Sequence, residues 1–103
     1  VSEPALSASF TGELYLWQAR TDSWTFVDAP ADLSEEIRDS LPLPPRGFGS
    51  VRVEVTLGAT TWRTSLFPDK TKGVYVLPVK RAVLKAEDVE AGDEVTVTVD
   101  VLA

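Results

Sequence analysis

The residue types that do most enzymatic chemistry are missing from this chain. It has neither histidine nor cysteine, so it lacks the side chain that exchanges protons near neutrality and the thiolate that attacks carbonyls or holds zinc. Carboxylates, hydroxyls, lysines, arginines and two tyrosines remain. Ser50 and Ser65 have only a lysine to serve as an activating base. Asp88, Glu90, Asp93 and Glu94 stand close together and offer the oxygen ligands a hard cation such as Ca2+ or Mg2+ requires. Their spacing fits no cation-binding loop. The ordinary reading is a solvated acidic turn, with Asp93 after Gly92 accepting from backbone N–H groups. No catalytic residue, metal ligand or cofactor is assigned, and an enzyme is not expected.

Recognition is a chemistry the composition supports. The aromatic candidates are Trp17, Trp24, Phe48, Trp62, Phe67 and Tyr75, with Arg52, Arg63, Lys80 and Arg81 as cations that could frame them. Trp62 shares its parity with Val55 and Leu66, which assigns it to the core. Phe67 falls on the polar face with Arg52, and Trp17 shares its parity with Ser7 and Ser9. An exposed aromatic beside arginine is a common interface ingredient. Phe48, between Gly47 and Gly49, either faces a partner from a loop or plugs a barrel end. The candidate binding residues are therefore Trp17, Phe48, Arg52, Arg63, Phe67, Lys80 and Arg81.

Strands must position these groups. Val95, Val97, Val99 and Val101 alternate with Thr96, Thr98 and Asp100, the period of a half-buried strand. Val51, Val53, Val55 and Leu57 alternate with Arg52, Glu54 and Thr56 in the same way. Leu6, Ala8, Phe10, Leu14 and Leu16 hold one parity over a long strand, with Gly12 as its expected bend. Gly58-Ala59-Thr60-Thr61 is expected as a four-residue hairpin loop, placing Leu57 opposite Trp62. Residues 68–73 form a polar loop. Asp32 and Glu35 have capping-box spacing ahead of a Leu33, Ile37, Leu41 stripe, so a short helix is predicted there, ended by Pro42, Pro44 and Pro45. A second short helix follows Pro78. Laid over one another, the two halves each read strand, strand, proline, helix, glycine, strand. The expectation is a mainly β fold: a six-stranded, pseudo-two-fold, double-split β-barrel with two short helices, a single domain over residues 1–103. In it Pro30 and Pro78 hold equivalent places.

The net charge of −6 conceals three blocks. Residues 1–45 are net −6, residues 46–85 net +6 and residues 86–103 net −6. The blocks are expected to neutralise one another across the fold. No apolar run approaches the roughly 20 residues of a spanning helix, and no charged-then-apolar leader opens the sequence. A soluble cytoplasmic protein with no membrane association is expected.

Trp24 to Pro30, Ser34 to Arg38, Gly47-Phe48-Gly49, Trp62 to Leu66, Tyr75 to Pro78 and Gly92-Asp93 fall in the order and spacing of the domain-of-unknown-function family 1905, which the chain resembles over nearly its whole length. The resemblance implies a small double-split β-barrel related in architecture to the AbrB and MazE type. Ala29 and Leu84 depart from the family's leucine and arginine at those places. The family lends no activity, although some members look like same-chain partners of a small helical domain linked to bacteriocin resistance. The expected role is a non-enzymatic binding or accessory domain, acting on another protein or a small ligand as a monomer or weak dimer. The alternative is a nucleic-acid-binding regulator of the AbrB type. Against it stands a pI of ≈ 4.5, where DNA-binding domains tend to be basic.

Overall fold

The computed structural model describes residues 6–19, 22–40 and 49–102. In chain order the elements are β1 (Leu6–Glu13), β2 (Tyr15–Ala19), β3 (Asp22–Asp28), α1 (Ala31–Ser40), β4 (Val51–Leu57), β5 (Thr60–Asp69), β6 (Val74–Val79), α2 (Arg81–Glu87) and β7 (Glu94–Val101). The strands make one curled, half-barrel antiparallel sheet in the order β1-β7-β4-β5-β6-β3-β2. Alternation decides what lies inside it. Val51, Val53, Val55 and Leu57 of β4 and Val95, Val97, Val99 and Val101 of β7 are all buried, and Phe10, Leu14, Trp62 and Leu66 join them. β6 adds Tyr75, Leu77 and Val79, while Val76, expected in this core, is covered on the outer face instead. Leu33 and Ile37 seat α1 on this core, and Val83 seats α2. Leu41 and Pro42–Pro45 lie outside the described residues. No helix among the described residues is long and apolar enough to cross a membrane.

The strand count is seven rather than six, because the long first strand divides at Leu14. Up to Glu13 it pairs with β7, and from Tyr15 it pairs with β3. Leu14 itself is held by the turn before β7, donating to Asp93 O at 2.9 Å and accepting from Gly92 N at 2.7 Å. Gly12 is therefore not the bend. A Cβ there would lie 2.8 Å from Val27 Cγ2, so glycine lets β1 pass close against β3. β5 is shared in a comparable way, pairing with β4 through Thr60–Leu66 and with β6 through Phe67–Asp69.

Three local expectations shift. The β4–β5 connection is the two-residue turn Gly58-Ala59, with Leu57 opposite Thr60 and Val55 opposite Trp62. Gly58 has φ 59°, the left-handed conformation that two-residue hairpins favour. The slip is an even one, so every side chain keeps its face. Helix α1 starts at Ala31, with Pro30 in the cap position two residues before the expected Asp32: Ser34 N donates to Pro30 O at 2.9 Å, and Asp32 accepts from Leu33 N at 2.8 Å. Pro78 sits inside β6 opposite Phe26, three residues before α2, and so is not the counterpart of Pro30. The ladder from β6 to β5 has already stopped at Val74–Val76, so no partner requires the N–H that proline lacks.

The 68–73 loop is shorter than expected. Pro68 and Asp69 extend β5, and the Asp69 carboxylate accepts from Thr71 N at 2.9 Å and Lys72 N at 3.1 Å to shape the turn. Asp93 behaves as expected, accepting from Glu90 N at 2.9 Å. The sheet order also turns the basic block into a region of space, since β4, β5 and β6 lie side by side. The described ion pairs are Arg63–Glu54 and Lys72–Asp28, so among the described residues Arg52, Lys70, Lys80, Arg81 and Lys85 have none.

Candidate binding surface

The outer face of β2, β3 and β6 carries aromatic and apolar side chains where most sheets carry polar ones. In β3, Thr25 and Val27 are buried, which sends Trp24, Phe26 and Asp28 outward. Register then assembles three rows: Trp17 opposite Trp24; Tyr15 opposite Phe26 opposite Pro78; and Asp28 opposite Val76 opposite Phe67. Phe26 is the hub. Its ring centroid lies 6.5 Å from Trp24 with planes 19° apart, 6.4 Å from Trp17 edge-on at 70°, and 6.1 Å from Tyr15. Trp17 is 51% exposed, Trp24 50% and Phe67 41%. Trp17, Trp24, Phe26, Phe67, Val76 and Pro78 line a depression of ≈ 480 Å³. A second depression, of ≈ 560 Å³, runs from Tyr15, Trp17 and Phe26 to Lys70 and Lys72.

One end of this face is fixed by a three-residue cluster. Tyr15 OH donates to Asp28 Oδ1 at 2.6 Å, and Lys72 Nζ donates to Asp28 Oδ2 at 3.0 Å and Tyr15 OH at 3.1 Å. The ammonium also lies 4.2 Å from the centre of the Tyr15 ring, close enough for a cation–π contact. Burial, then the bond to Asp28, raises the Tyr15 pKa above its ordinary value. The hydrogen bonds to Tyr15 and Asp28 raise that of Lys72. The three groups hold one another in place, so the cluster orders this end of the surface.

Cations border the aromatic face on several sides. Lys70 and Lys72 stand at one end, while Lys80 and Arg81 stand beside Trp24. Arg52 points outward opposite Ser65, one diagonal step from Phe67. Of the residues named from sequence, Trp17 and Phe67 thus meet on one face, with Arg52 alongside and Lys80 and Arg81 at its margin. Arg63 sits opposite Glu54 and bonds to it at 3.4 Å. Phe48 lies outside the described residues. Trp62 and Tyr75 are buried.

Sequence reasoning passed over Tyr15, Phe26, Asp28 and Lys72, and gave Trp24 no particular place. Tyr15 was within reach, because it shares parity with Trp17. Phe26 and Trp24 were harder, since both parities of β3 carry apolar residues. Lys72 reaches Tyr15 across 57 residues of chain, a contact that no local pattern announces.

Residues 10–99 match the family described as Domain of unknown function (DUF1905), and the chain belongs to that family. No curated protein matches the chain.

Proposed function

We propose that the protein is a non-enzymatic binding domain whose outer β2–β3–β6 face receives a segment of another protein, one with apolar anchors flanked by acidic residues. The observation that carries this reading is the exposed Trp17, Trp24 and Phe67 gathered around the partly buried Phe26, bordered by the cations Arg52, Lys70, Lys80 and Arg81 and by the Lys72–Asp28 pair. Contiguous exposed aromatics mark interaction sites, and tryptophan, tyrosine and arginine dominate binding energy where they are found. Asp28 and Lys72 offset one another as an ion pair, and Asp69 faces inward to its turn beside Lys70, so the attraction for acidic groups rests on Arg52, Lys70, Lys80 and Arg81. The divided first strand, the shared β5 and the helix after each of β3 and β6 also support a pseudo-two-fold double-split barrel as the underlying architecture.

The test is NMR titration with synthetic peptides that hold a tryptophan or leucine anchor constant and vary only the flanking charge. Acidic peptides should shift amides of β2, β3 and β6, weaken with added salt, and lose binding in Trp17→Ala and Phe67→Ala. Basic-flanked peptides should bind at least tenfold more weakly. Tighter binding of single-stranded or duplex oligonucleotides than of any acidic peptide would overturn the reading in favour of a nucleic-acid partner.

A further inference from the structure

The opposite face of the same strands holds a second feature, which shares Trp24 with the aromatic cluster and Lys80 and Arg81 with its border but none of Trp17, Phe26 or Phe67. Leu16, Thr25 and Val79 are direct cross-strand neighbours on β2, β3 and β6. With Leu84 of α2 they line a slot of ≈ 400 Å³, with Trp24, Lys80 and Arg81 completing its lining. That size falls within the roughly 300–1,000 Å³ in which proteins hold small molecules. Thr25 and Val79 are buried, whereas Leu16, on the inward parity, is 51% exposed. The apolar floor therefore runs from the core into an open side. Lys80 and Arg81 are exposed, and among the described residues neither has an ion pair. Among the described residues no carboxylate lines the slot.

An apolar trench provided with two unpaired cations complements a molecule with a hydrocarbon body and one anionic head. A carboxylate suits it best, because its two coplanar oxygens match the fork of a guanidinium. We propose that this slot binds a short-chain amphiphilic carboxylate. The chain lies along the Leu16–Thr25–Val79 row against Leu84, and the head meets Arg81 and Lys80. This goes beyond the protein-binding reading and does not depend on it, since Trp17, Phe26 and Phe67 take no part.

Octanoate is the probe, with octylammonium as the control of opposite charge. Titration followed by methyl NMR should shift Leu16, Val79 and Leu84 at one saturable site, with Trp24 fluorescence changing in parallel. The substitutions Lys80→Gln with Arg81→Gln, both exposed, should weaken octanoate at least tenfold. Leu16→Asp, also exposed, should abolish it, while Trp17→Ala and Phe67→Ala should leave it unchanged. Equal affinity for octylammonium would overturn the proposal. So would undiminished binding in the Lys80/Arg81 variant, or shifts spread over Trp17 and Phe67 as in general hydrophobic adsorption. Because the peptide test is read at Trp17 and Phe67 and this one at Leu16, Val79 and Leu84, the two readings fail separately, although Lys80 and Arg81 serve both.

Discussion

Gly58 and Glu87 form a coupled pair whose disruption can be worked out in advance. Gly58 has φ 59°, and a Cβ built on it would overlap the Glu87 Oε1 atom. That carboxylate holds α2 to the β4–β5 turn, accepting from Thr60 Oγ1 at 2.6 Å and from Ala59 N at 3.4 Å. Gly58→Ala then has two costs. A left-handed alanine is strained by about 1–2 kcal/mol. The added methyl also meets the far end of a flexible side chain, which can swing away, but only by giving up its bonds. One short and one long bond, both partly solvated, are together worth about 1 kcal/mol. The single substitution should therefore destabilise by about 2–3 kcal/mol, and Glu87→Ala by about 1 kcal/mol.

The informative measurement is the double variant. Gly58→Ala has already broken the contacts that Glu87→Ala removes, so the pair should be no less stable than Gly58→Ala alone. The coupling energy from a double-mutant cycle should be about 1 kcal/mol. Urea unfolding of the four proteins, followed by far-UV circular dichroism, reads it directly. Costs that add would refute the reasoning, because they would mean that Glu87 keeps its bonds when a methyl stands at position 58.

Two further outcomes are expected. Ser34 is buried and its Oγ accepts from Tyr75 N at 3.0 Å, so Ser34→Ala should strand that N–H at a cost of about 1–3 kcal/mol; hydrogen exchange at the Tyr75 amide should accelerate, and unchanged exchange would show that another acceptor takes over. Tyr15 and Lys72 both have raised pKa values in the fold, so each contributes stability that is fully present below its unfolded value, about 10 for both, and is lost as pH rises through the folded one. The urea midpoint should therefore fall as pH rises above about 10, less so in Tyr15→Phe, and an equal fall in the variant would remove Tyr15 from the account.

What the sequence disclosed depended on how far apart the cooperating residues lie. The buried sets of β4 and β7 were legible because alternation is a local signal, and Trp62 followed from its parity with Val55. The hairpin register was missed by two residues because Thr60 and Thr61 read as loop, while Gly58 supplies the whole turn. The seventh strand was missed because Leu14 continues the alternation faithfully. Only its bonds to Gly92 and Asp93, nearly eighty residues away, divide the strand. At the candidate surface, the exposure of Trp17 and Phe67 followed from parity. Their meeting did not, because it depends on β5, β6, β3 and β2 standing in that order. The basic block was expected to be neutralised; instead, for the same reason, Arg52, Lys70, Lys80 and Arg81 stand around one face without ion pairs among the described residues.

The aromatic face is difficult to explain by folding alone. Ring contacts around Phe26 contribute about 0.5–1.5 kcal/mol each beyond area burial, which accounts for the pairing of Trp24 with Phe26. It does not account for the exposure: Trp17, which also meets Phe26 edge-on, and Trp24 each leave about half of a large apolar surface in water, and Phe67 leaves 41%. Nor does β2 protect itself, since Tyr15–Ala19 contains neither charge nor proline, the usual guards of a sheet edge. The cations Arg52, Lys70, Lys80 and Arg81 stand around the face rather than in the edge strand. Two copies that met through this face would bring those charges together, and like charges across an interface oppose association. An acidic partner would meet no such opposition. On the proposed reading, then, one ring of charge has two effects: it keeps the exposed aromatics from pairing with themselves and leaves them available to a segment of the opposite sign.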